Sequence, residues 1–140
     1  MVPILYASIT EGTVPSDFGI GNLTDALECY VDESRNSKYE LTLIYAAQGI
    51  HASEIKEGRF LKAQPNYTDA PQLFKIYHVG KALNGRIEIN AEHVSYMLSG
   101  KPITSGTANN VSSACALLEA KAGGFTITTT KNTAGDFAIT

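Results

Sequence analysis

Apolar and polar residues alternate along four segments of the first hundred residues, and this period of two predicts half-buried β-strands. The segments cover residues 26–32, 39–45, 74–79 and 87–92. Turn-forming residues separate them in pairs: residues 34–37 lie between the first two, and Asn84-Gly85 lies between the last two. Asn-Gly adopts the positive φ angles that a type I′ hairpin turn requires. The pattern therefore predicts two antiparallel hairpins, with a further short strand within residues 58–64 and a loop over residues 65–71.

A different pattern follows residue 100. Small or apolar residues recur at the spacing of one face of an α-helix, namely at Val111, Ala114, Cys115, Leu118 and Ala122. Asn109 or Asn110 can cap the start of this helix, and Gly123-Gly124 can end it. The remaining predicted elements are a β-branched strand at Phe125–Thr130, a turn at residues 132–135 and a strand at residues 136–140.

The composition agrees with a folded β-rich protein. Hydrophobic residues make up 44% and charged residues 18% of the 140 residues. Residues 1–98 hold 20 of the charged side chains and residues 99–140 hold only five. We therefore predict a mainly β (α+β) fold, in which antiparallel hairpins form a small β-barrel or sandwich with one α-helix packed on it. Residues 1–100 form the first β-rich domain, and residues 101–140 start a second unit or complete the first.

Charge and hydropathy exclude two classes of function. The formal net charge is −3 and the basic residues do not cluster in the sequence, which argues against specific nucleic-acid binding. The sequence has no apolar run near the ~18 residues that a membrane-spanning helix needs. The first six residues lack the basic and apolar regions of a signal peptide, so we expect synthesis in a cytoplasm. The extended apolar segment at residues 136–140 leads us to expect that the chain continues, or that another segment completes this strand.

The sequence offers little that predicts a chemical site. His51, His78 and His93 do not pair with one another or with cysteine at metal-ligand spacing. Gly19-Ile20-Gly21 resembles the start of a dinucleotide loop, but Thr24 stands where the third glycine belongs. We therefore predict no catalytic, cofactor-binding or metal-ligating residue and no cofactor.

One alternative is an enzyme, a small cysteine peptidase that uses Cys29 or Cys115 with His93. In a reducing compartment we expect both cysteines to be unpaired, and each lies on a predicted apolar face, which favours burial. His93 continues the alternation of Ile87 and Ile89, which predicts an inward-facing structural histidine.

The tyrosines favour a role in binding. Seven Tyr and five Phe occur mainly on predicted strands, and Tyr30 and Tyr77 lie on faces opposite the apolar stripes. Exposed aromatic side chains on strands favour protein–protein contacts, while a sheet buried on both faces would explain them equally well. A stand-alone carbohydrate-binding β module is the second alternative function.

A series of short sequence segments along the chain has a recognisable order. Its two most specific segments have the patterns Glu-x-Arg-Asn-x-x-Tyr-Glu-Leu at residues 33–41 and Ala-x-His-x-Ser-Tyr-x-Leu-Ser at residues 91–99. The series, which extends over nearly the whole chain, resembles the N-terminal region of phage minor structural proteins. This group is the prophage endopeptidase-tail, or tail-associated lysin, family of Gram-positive phages. Ser37 stands where the family more often has Gly, and Met97 stands where an acidic residue is common.

The resemblance implies a structural function at the tail tip of a virion. Such N-terminal regions form a tail-tip or baseplate hub, built from small β-barrel domains that assemble as a homotrimer around the tail channel. The partners it implies are other tail proteins, namely the distal tail ring and the tape measure. Host-attachment or lysin modules lie C-terminal to this region, so the resemblance implies no catalytic residue in it. The scarcity of basic residues suggests a channel that DNA passes without strong binding.

Overall fold

The alternating segments form β-strands in the computed structural model, which describes residues 1–10, 13–35, 37–123 and 125–139. The strands are β1 (Ile4–Tyr6), β2 (Gly21–Asn22), β3 (Ala26–Glu33), β4 (Tyr39–Ala46), β5 (Phe60–Ala63), β6 (Gln72–Val79), β7 (Arg86–His93), β8 (Gly106–Asn110) and β9 (Ala134–Ile139). The described residues also form one α-helix, α1 (Val111–Ala122), and two 3₁₀ helices (Ala52–Glu54 and Val94–Gly100). The predicted mainly β fold with one α-helix is confirmed.

Strands β1 to β7 form one curled antiparallel sheet with the order β2-β1-β5-β6-β7-β4-β3. The sheet has the shape of half a barrel, so the predicted barrel is present in an open form. A closed barrel has no edge strands, whereas an open sheet has two. Here the two edges are the two-residue strand β2 and the eight-residue strand β3.

Both predicted hairpins are present. β3 pairs with β4, and β6 pairs with β7. At the second turn, Asn84 and Gly85 have φ angles of 51° and 75°, as a type I′ turn requires. Reciprocal backbone hydrogen bonds between Leu83 and Arg86, of 2.9 and 3.0 Å, close this turn.

The concave face of the sheet holds the hydrophobic core. In β4, Leu41, Leu43 and Tyr45 have no exposed surface, and in β7 Ile89 and Ala91 have none. Leu43 lies opposite Ile89 and Leu41 lies opposite Ala91 across the strand pair. Burial of each large side chain contributes roughly 1.5–3 kcal/mol, and a slip of one residue would expose the whole set. The core therefore fixes the register of the central strands.

The Gly19-Ile20-Gly21 segment is explained by packing against β1. Gly19 has a φ angle of 53°, and a Cβ there would lie 2.5 Å from the backbone oxygen of Leu5. The N–H of Ile20 donates to the same oxygen at 2.8 Å. Only glycine tolerates both this conformation and this close approach.

A separate two-stranded antiparallel sheet, β8 with β9, packs against α1. Asn110 caps the helix, because its side-chain oxygen accepts a hydrogen bond from the N–H of Ser113 at 2.8 Å. At the other end, the N–H of Gly123 donates to the backbone oxygen of Glu119 at 3.0 Å. The predicted helix and these caps are confirmed, while Gly124 lies outside the described residues.

One strand prediction in this region is wrong. Phe125–Thr130 does not form a strand, and the partner of β9 is β8, which precedes the helix. A β-branched segment becomes a strand only where a neighbour supplies backbone hydrogen bonds, and β8 takes that place beside β9. The predicted last strand, residues 136–140, falls within β9 except for Thr140, which lies outside the described residues.

The chain divides into two compact units. The first comprises Met1–Ile9 with Val14–Tyr96, and the second comprises Thr10–Thr13 with Met97–Thr140. The division after Tyr96 lies close to the boundary expected at residue 100. That residues 101–140 start a second unit or complete the first stays a prediction.

Candidate functional site

The first unit offers another chain the free edge of β3. Among the described strands, β3 has a neighbour on one side only, β4. Alternate residues of a strand direct their N–H and C=O groups to opposite sides, so an edge strand presents a row of these groups outward. Leu27 is 50% exposed and Tyr30 is 55% exposed on this strand. We call the side of Ala26–Glu33 that faces away from β4 the β3 edge.

Asp25 fixes the position at which β3 begins. Its carboxylate accepts hydrogen bonds from the N–H of Ile50 at 2.9 Å and from the hydroxyl of Tyr45 at 3.3 Å. Just beyond, the register between β3 and β4 shifts between Ala26 and Glu28. Such a bulge bends the strand and increases its twist. Leu27 lies at this bulge and is exposed, although the alternation of residues 27–31 predicts it on the apolar face.

The β3 edge has an apolar face and an acidic face. Cys29 and Val31 lie opposite the buried residues Leu43 and Leu41, so their side chains share the concave face of the sheet. The residues of the opposite, convex face are Glu28, Tyr30 and Asp32. A strand added here would therefore meet apolar side chains on one face and carboxylates on the other.

A groove of about 340 Å³ lies beside the β3 edge. Cys29, Tyr30 and Val31 contribute to its lining, together with Met1 and residues 63–67. Loop residues 64–67 follow β5 immediately, so a strand from the middle of the sheet and its edge strand border the same groove. The groove leaves space for a guest side chain beside the β3 edge.

Cys29 is exposed, which corrects the expectation of burial. The alternation predicts its face correctly, but in the described part of the chain no further strand follows β3 to cover that face. Desolvation in the groove still raises the pKa of the thiol to about 11, against an opposing effect of the positive N-terminus. The thiol is therefore protonated at neutral pH, whereas a nucleophilic cysteine needs a lowered pKa.

The structure does not bring Cys29 and His93 together. Cys29 lies opposite Leu43, which lies opposite Ile89, and His93 is four residues farther along β7. Two strand spacings and four residues place the two Cα atoms about 16 Å apart. A nucleophile and its base need contact at roughly 3 Å. Cys115 is partly buried in α1 of the second unit.

His93 is held in its neutral form at the end of β7. Its Nδ1 accepts a hydrogen bond from the N–H of Ser95 at 3.2 Å, and its Nε2 lies 3.2 Å from Oε1 of Gln72. An acceptor at Nδ1 places the proton on Nε2, which then donates to Gln72. Burial lowers the pKa of His93 and so favours the same neutral form. Both ring nitrogens have partners, as the prediction of a structural histidine requires.

The two most specific segments of the family resemblance contact each other here. Tyr39 from the first segment stacks on His93 from the second, with ring centroids 4.3 Å apart. The N–H of Tyr39 donates to the hydroxyl oxygen of Tyr96 at 3.0 Å, and the Tyr96 hydroxyl donates to the backbone oxygen of Ser37 at 3.2 Å. Packing at one end of β4 and β7 thus accounts for Tyr39, His93 and Tyr96. Asn36 of the first segment lies outside the described residues.

The convex face beside the β3 edge carries a row of acidic residues. Asp32 lies opposite Glu40, and Glu40 lies opposite Glu92. Glu92 in turn lies opposite Lys75 on β6. Like charges that face each other on neighbouring strands destabilise a sheet. The row ends at the β3 edge in Asp32, which forms an ion pair with Lys38.

The other histidines have local partners. The backbone N–H of His51 donates to the hydroxyl oxygen of Tyr45 at 3.3 Å, and Nδ1 of His78 lies 3.9 Å from Oε1 of Glu57. Within the described ranges, no group of three or more His, Cys, Asp or Glu residues is arranged to hold a metal ion. The described helices include none with the length and apolar content needed to cross a membrane.

Comparison with known proteins assigns the chain to no family. No family model, no curated protein and no solved structure matches it. The tail-hub resemblance therefore stays an expectation from the sequence segments.

Proposed function

We propose that the chain is the N-terminal portion of a structural protein in the tail-tip or baseplate hub of a phage or prophage. The resemblance of residues 33–41 and 91–99 to that family supports this function. The observation that carries it is the β3 edge, because the outer side of this eight-residue strand has no neighbour among the described strands and offers main-chain hydrogen bonds to another protein chain. A protein whose task is to join other proteins uses such an edge for assembly.

In this proposal three copies of the chain surround the tail channel at the tail tip of the virion. They contact other tail proteins, the distal tail ring and the tape measure, after synthesis in the cytoplasm of the bacterial host. The segment itself is not an enzyme and uses no cofactor, and host-attachment or lysin modules follow it in the longer protein. Its 11 basic residues, unclustered in the sequence, leave DNA free to pass the channel.

Immunogold electron microscopy of tails tests this function. Antibodies raised against the purified chain are applied to particles released by induction of the prophage that encodes it. We expect gold at the distal end of the tail, and we expect preincubation of the antibodies with the chain to remove it. Unlabelled particles from cells that express the protein would overturn the proposal.

A further inference from the structure

We propose that the β3 edge binds an extended, basic segment of a partner protein, which joins the seven-stranded sheet as an eighth strand. This inference rests on the proposed function, since it gives the chemistry of one partner of the hub. The incoming strand alternates in character: its apolar side chains enter the groove beside Cys29 and Val31, and its lysine or arginine side chains lie over the convex face.

The apolar half of this pattern follows from the groove. Cys29 and Val31 continue the core face of β4, yet Cys29 is exposed because the sheet ends at β3. The groove of about 340 Å³ beside them is lined by Met1 and Ala63 and also by the polar residues Gln64 and Asn66. Apolar side chains at every second position of an added strand would fill this space and extend the core.

The basic half follows from charge complementarity on the convex face. On this face β3 carries Glu28 and Asp32, and the strand has no basic residue. Asp32 is also the end of the row of like charges that continues through Glu40 and Glu92. A lysine or arginine side chain on the added strand, opposite Asp32, would place a positive charge at the end of this row of carboxylates. The cations already present, Lys38 on Asp32 and Arg86 at 4.0 Å from Glu28, form exposed ion pairs, which are weak and exchange readily.

A second copy of β3 suits the same edge less well. Two-fold antiparallel pairing requires residues of the same face to lie opposite one another. When the pairing is centred on Tyr30, Glu28 of each copy faces Asp32 of the other. Every register also adds three more carboxylates to an edge that already carries three. Repulsion between like charges therefore favours a basic strand from another protein.

Peptide titration followed by two-dimensional ¹⁵N NMR tests this inference. The probe is a blocked octapeptide that alternates valine with lysine, and its control alternates valine with glutamate. We expect the lysine peptide to shift the amide signals of residues 26–33 and to bind more weakly as salt is raised. Equal binding of the two peptides, or shifts confined to other residues, would overturn the inference.

Charge variants sharpen the result. Asp32→Lys is expected to weaken binding of the lysine peptide at least about fivefold and to strengthen binding of the glutamate peptide. Asp32→Asn should also weaken binding of the lysine peptide and strengthen binding of the glutamate peptide, with smaller changes in affinity. This milder variant keeps the test valid if the charge reversal disturbs folding. The matched control is Glu57→Lys, an exposed charge reversal outside β3, which should change neither affinity. Unchanged binding in both Asp32 variants would overturn the inference, while gold at the tail tip would leave the proposed function standing.

Discussion

His93 makes the stability of the first unit depend on pH in a defined direction. Burial lowers its pKa below the ordinary value of 6.5, so the unfolded chain binds a proton there more readily than the folded chain. The stabilisation is present above pH 6.5 and is lost as the pH falls through the folded-state pKa. We expect the free energy of unfolding by urea to rise between about pH 5 and about pH 7.5.

The variant His93→Phe isolates this effect. Phenylalanine keeps an aromatic ring against Tyr39, whose ring stacks on His93, and removes the titrating group. Phe74, Gln72 and Ser95 also contact the His93 ring. The increase in unfolding free energy over this pH range should be smaller in the variant. An increase of the same size in both proteins would show that other groups cause it.

At the scale of one element, Asn110 stabilises the start of α1. Its side-chain oxygen accepts hydrogen bonds from the backbone N–H and the hydroxyl of Ser113, at 2.8 and 2.9 Å. Asn110→Ala should lower the opening free energy of the first turns of α1 by about 1 kcal/mol, because it removes the cap. Hydrogen exchange of the helix amides measures this change. Asn110→Asp keeps an acceptor and should retain protection, and an equal loss in both variants would contradict the capping role.

The sequence predicts well those elements whose ends are marked by turn or capping residues within the element itself. Asn84-Gly85 defines its turn through backbone conformation, and Asn110 and Gly123 mark the ends of α1 by capping. Phe125–Thr130 has the composition of a strand, but composition does not identify the partner that a strand needs. Residues 106–110 form that partner, and their sequence of Gly, Thr, Ala and Asn gives little strand signal.

At the scale of the whole molecule, the proposed homotrimer predicts a mass about three times 15.0 kDa for the purified chain. Light scattering after size-exclusion chromatography measures it. Because a basic partner strand is assigned to the β3 edge, Tyr30→Lys should leave the trimer intact, as should Tyr67→Lys at a fully exposed position. A monomer at every concentration would contradict the trimer. A monomer caused by Tyr30→Lys alone would instead assign the β3 edge to self-association.

The open edge lies beyond what the sequence predicts. The alternation around Cys29 gives the face of its side chain correctly, but exposure depends on whether another strand follows β3 in space. That order is set by contacts between residues far apart in the chain, such as those that place β4 between β3 and β7. The row of acidic residues also depends on the order and register of the strands. Asp32, Glu40 and Glu92 become neighbours only when β3, β4 and β7 align.

The carboxylates of β3 also bear on the solubility of the chain before it meets a partner. An eight-residue edge strand with exposed Leu27 and Tyr30 is a template for edge-to-edge aggregation. Glu28, Asp32 and Glu33 place like charges on any second copy that approaches it. The same side chains that would favour the proposed basic partner therefore also oppose edge-to-edge aggregation of the free chain.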